Sequence, residues 1–99
     1  MSLGTFLPDQ PDNTVTLTAT IVPATATLPA TTGEQAQIFN GGSVLVFVAV
    51  GPTAGTSGLP IPPGSTITIS IGSAARSVSA VAASGSAVVH VTRGRYVAF

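Results

Sequence analysis

The sequence predicts an all-β domain: a small antiparallel β-sandwich or barrel of six to seven strands, preceded by an extended N-terminal arm. Three observations predict it. Val, Ile and Thr alternate at period two in several separate segments. No segment sustains a 3.6-residue apolar repeat. Clusters of Gly and Pro divide the chain at short intervals. A chain of 99 residues suits one domain with one modest core. The expected division is an arm over 1–13 and a single β-domain over 14–99.

The arm follows from its prolines. Pro8 and Pro11 exclude a regular helix or a central strand there. Leu3, Phe6 and Leu7 are apolar residues without periodic partners, suited to docking on a neighbouring subunit or to a frayed terminus. Residues 14–22 then alternate cleanly. Val15, Leu17, Ala19 and Ile21 fall on one face, and Thr14, Thr16, Thr18 and Thr20 on the other. The Pro/Ala/Thr-rich stretch 23–32 reads as a linker or an edge segment.

Residues 34–39 form a short strand, and Asn40-Gly41-Gly42 offers the positive φ angles of a type I′ hairpin turn. The following run 43–50, Ser-Val-Leu-Val-Phe-Val-Ala-Val, is apolar on both faces and predicts a central strand covered on both sides. Phe39 and Phe47 are expected in the core. Residues 51–64 read as a long Gly/Pro loop. Residues 65–71 alternate again, with Ile67, Ile69 and Ile71 on one face. Residues 76–83 and 86–92 are expected to make a last hairpin through Ser84-Gly85, with Val89 and Val91 opposite His90. Gly94 to Phe99 is a tail.

Charge narrows the function classes. Charged residues are 6% of the chain, with no lysine, against about 25% in an ordinary soluble domain. Three arginines do not build a phosphate-tracking surface, so no nucleic-acid partner is expected. Mean hydropathy is +0.58, yet no apolar run approaches the roughly 20 residues of a spanning helix. The N-terminus also lacks a basic start and an apolar stretch of signal-peptide length. No membrane association is expected. An apolar surface with so little charge is poorly suited to a free monomer and fits one covered by neighbours, although Thr and Ser can also solvate it.

Chemistry has little to draw on. Cysteine is absent and His90 is the sole histidine, so no metal site is expected. No nucleophile elbow occurs, and no Gly-rich phosphate cradle opens a helix. The expectation is a non-enzymatic protein with no catalytic residues and no cofactor. Sugar binding is the main rival, but the aromatics Phe6, Tyr96 and Phe99 lie near the chain ends and favour assembly contacts. Arg93 and Arg95, flanking Gly94, either pair with acids on a neighbouring subunit or remain solvated at a strand end.

The segments GEQAQIFNGGSVLVFVAVG (33–51), LPIPPGSTITISI (59–71) and VAASGSAVVHVTRG (81–94) resemble small β-rich virion proteins of tailed bacteriophages and prophages. The resemblance implies capsid decoration, a cement role at the capsid surface after assembly in the host cytoplasm. The implied partners are the major capsid protein or other virion proteins, with the chain itself a homo-oligomer. A tail- or fibre-associated subunit and a glycan- or receptor-binding module are the alternatives. The expected interface residues are Leu3, Phe6, Leu7, Arg93, Arg95, Tyr96, Val97 and Phe99.

Overall fold

A computed structural model describes residues 4–8, 14–31, 33–51 and 58–98. They form nine β-strands, all paired antiparallel, with no helix among the described residues: β1 (Gly4–Pro8), β2 (Thr14–Ala19), β3 (Ala24–Thr27), β4 (Gln35–Asn40), β5 (Val46–Val50), β6 (Leu59–Ile61), β7 (Thr66–Ser70), β8 (Ser77–Ala82) and β9 (Ala87–Ala98). The expected six to seven strands are therefore too few. The additional strands lie in segments whose prolines pointed to an arm, a linker or a loop. Proline is tolerated at an edge, where its missing N–H leaves no ladder bond unmade. β1, β3 and β6 are all edge strands.

Two open sheets result. The smaller runs β3-β8-β5-β6. The larger runs β9-β4-β7, with β1 and β2 placed end to end along the other edge of β9. Pro8 faces Gly94 and Thr14 faces Thr92, so β1 and β2 meet the same edge of β9 two residues apart. At about 3.4 Å per residue, the twelve residues of β9 span roughly 40 Å. The long dimension of the molecule is 40 Å.

Alternation decides which face is buried. Leu17, Ala19, Ala36, Ile38, Val89 and Val91 of the larger sheet join Val46, Val48, Ile61, Val78 and Ala80 of the smaller one in a single core. Ile67, Ile69 and Ile71 pack against it as half-buried neighbours. β5 is internal to its sheet, as expected, but only its Val46 and Val48 face is fully buried. Phe47 and Ala49 are half-buried.

Both expected hairpins are absent. β4 and β5 lie in different sheets, as do β8 and β9. Asn40-Gly41-Gly42 and Ser84-Gly85 therefore carry the chain across the core. Neither Gly41 nor Gly42 has a positive φ, so the Asn-Gly pair makes no type I′ turn. Gly42 is needed for a different reason: a Cβ there would lie 2.7 Å from the Cα of Ala87, and closer still to its Cβ. Among the described strands only β5 and β6 are both consecutive and paired.

Candidate functional site

The residues that sequence reasoning placed at an interface fall into three groups. Leu3 and Phe99 lie outside the described residues. Phe6, Leu7, Tyr96 and Val97 come together as a two-stranded ribbon, where Phe6 faces Tyr96 and Leu7 faces Arg95. β4 begins opposite Gly94, so residues 95–98 extend past it with β1 as their partner. Phe6 is half-buried and Arg95 is exposed.

Arg93 forms the third group, and its expected role is corrected. It is fully buried, at 0% exposure. Its position on β9 alternates with Val89 and Val91, so its side chain enters the core at the ribbon end of the sheets. There Nε donates to Gly33 O at 2.9 Å, and Nη1 to Pro29 O at 3.1 Å and Ala75 O at 2.7 Å. Nη2 donates to Gly72 O at 3.3 Å and Ser73 O at 2.9 Å. These carbonyls belong to the β3–β4 and β7–β8 connections. A guanidinium has five N–H donors in a fixed fork, and each has a carbonyl here. Arg93 ties two loops over the end of the core and is not accessible to a neighbouring subunit.

Asn40 does the same at the opposite end. It is fully buried, and its Nδ2 donates to Val44 O at 2.8 Å and Ile61 O at 2.9 Å. Its Oδ1 accepts from the Gly42 N–H at 3.0 Å. Buried polar groups are stable only when bonded in this way. In the sequence, Asn40 before Gly41 reads as a turn residue. The parity of β4 carried the better signal, because Ala36, Ile38 and Asn40 share one face and Gln35, Gln37 and Phe39 the other.

That parity also corrects Phe39. It lies on the outer face of the larger sheet, 38% exposed, and not in the core. Across the sheet it pairs with His90 on one side and Thr66 on the other, and His90 pairs onward with Thr16. The Phe39 and His90 ring centroids are 5.8 Å apart with 33° between planes. Val88, 44% exposed, is the next outward residue of β9. Ile21 and Val22, at the β2–β3 turn, are the most exposed large apolar side chains described.

Among the described residues no three His, Cys, Asp or Glu side chains converge as a metal site, and no pocket opens. No helix among them is long and apolar enough to cross a membrane. Comparison with family models, curated proteins and solved structures returns no match.

Proposed function

We propose that this chain is a non-enzymatic structural virion protein that decorates and stabilises a phage capsid by binding the assembled lattice as an oligomer. The strand order carries the reading. Setting β1 aside, the sheets run β2-β9-β4-β7 and β3-β8-β5-β6, the order of an eight-stranded jelly roll, a β-sandwich. Jelly rolls serve in viral capsids and in lectins. The step from fold to role is by analogy. The sparse charge, the exposed Ile21 and Val22, and the ribbon of β1 with the end of β9 support it further. A ribbon edge offers backbone donors and acceptors to another chain.

The mechanism is mass action. A protein that binds only the assembled shell stabilises it by RT ln(1 + [L]/Kd) per site. Repeated copies on a symmetric lattice add avidity. Quantitative mass spectrometry of purified virions encoded by the same genome tests the reading. A simple fixed ratio to the major capsid protein is expected. A handful of copies per particle assigns the chain to the tail or a fibre instead, and absence from the particle refutes a virion role.

A further inference from the structure

We infer that the outer face of the larger sheet is a binding face for a neutral carbohydrate chain, centred on Phe39 and His90. Strand parity places only uncharged side chains outward across β2, β4, β7 and residues 87–92 of β9: threonines, a serine, Gln35, Gln37, Val88, His90 and Phe39. Among the described residues no Asp, Glu, Lys or Arg stands on that face. In the central row Thr16, His90, Phe39 and Thr66 follow one another across four strands, at the roughly 4.8 Å interstrand spacing of a sheet.

The two rings sit side by side in that row, with a modest angle between them. Together with Val88 they make a small apolar platform bordered by threonines and by Gln37. A pyranose presents a ring face of C–H groups and a rim of neutral hydroxyls, which matches an aromatic platform bordered by Thr and Gln. Gly41 leaves room beside the platform, since a Cβ there would lie 3.3 Å from the Phe39 ring and 3.4 Å from His90 Nε2.

The same observations disfavour other occupants. Anionic polysaccharides and nucleic acids call for cations, and this face has no Lys or Arg. The core of a protein–protein interface is more apolar than a face dominated by threonine. The inference rests on this face alone and stands whether or not the chain belongs to a capsid.

The test is an amide chemical-shift titration of the folded protein with maltohexaose, cellohexaose and mannohexaose at millimolar concentration, with a heparin hexasaccharide as the anionic comparison. At least one neutral oligosaccharide is expected to shift Thr16, Phe39, Thr66 and His90 together. Phe39→Ala should weaken that binding at least about tenfold with the amide spectrum otherwise retained. Gly41→Ala, which crowds the rings without removing either, should weaken it less. Leu59→Ser, on the other sheet, should leave it unchanged. The inference is overturned if no neutral oligosaccharide moves these amides, if heparin binds there instead, or if Phe39→Ala converts a dimer to a monomer, which would make the occupant a second copy.

Discussion

Replacing Arg93 by lysine keeps the charge and most of the length but removes the fork. An ammonium has three donors where the guanidinium has five. At least two of the five carbonyls bonded by Arg93 must therefore lose their partner. A hydrogen bond to a charged group contributes about 1.5–3 kcal/mol. Two of them at the lower end give a loss of about 3 kcal/mol. Summing all five bonds for Arg93→Ala would reach the full stability of a typical domain, about 5–15 kcal/mol. That sum is too large, because the loop carbonyls can turn to water once the side chain is gone. The alanine variant is expected to lose about 4 kcal/mol, in the range reserved for broken buried networks. Urea unfolding followed by circular dichroism measures both. At about 1 kcal/mol per molar urea for a small domain, the lysine variant should unfold at a midpoint roughly 3 M lower. A change below about 0.5 kcal/mol for Arg93→Lys would refute the assignment of Arg93 as the tie between the two loops.

Two further substitutions test the other end of the core. Asn40→Asp preserves shape but turns both donations to Val44 O and Ile61 O into oxygen–oxygen contacts, so a loss of at least about 3 kcal/mol is expected. Unfolding at the wild-type urea midpoint would show that the Asn40 amide is dispensable. Gly42→Ala drives a methyl into Ala87 and should cost about 1–3 kcal/mol as overpacking. Ala87→Gly in the same chain should return part of that loss in a thermal melt. Strict additivity of the two losses would mean that the residues do not meet.

Local pattern was legible in the sequence and pairing was not. Period two alone groups Val15, Leu17 and Ala19, the isoleucines of 67–71, and Val89 with Val91, and each group faces the core, whereas Ile21, grouped with the first, lies beyond the end of β2 and is 70% exposed. Partners could not be read that way. Asn-Gly and Ser-Gly are strong local hairpin signals, yet here the chain crosses between sheets, because burying both inner faces outweighs a local turn preference. Arg93 looked like a strand-end charge because its carbonyl partners come from loops near residues 30 and 74, far away in sequence. A phenylalanine in a predicted strand suggests the core for Phe39, although the Gln35-Gln37-Phe39 parity opposes it. The outer platform became visible only when register set Phe39 beside His90.

The position of β9 has a consequence for how the protein is made. It follows every other described strand in chain order and is an interior strand of the larger sheet, bonded to β1 and β2 on one edge and to β4 on the other. β4 and β7 can pair without it, but β1 and β2 have no other partner among the described strands. β1 and β2 thus wait unpaired until β9 has left the ribosome. Closing such long loops is slow, and mature pairing of this kind is a late event. In that interval the chain is apolar and nearly uncharged, a form prone to aggregation. Its yield in a cell is therefore expected to depend on translation rate and chaperone supply more than on the stability of the finished fold.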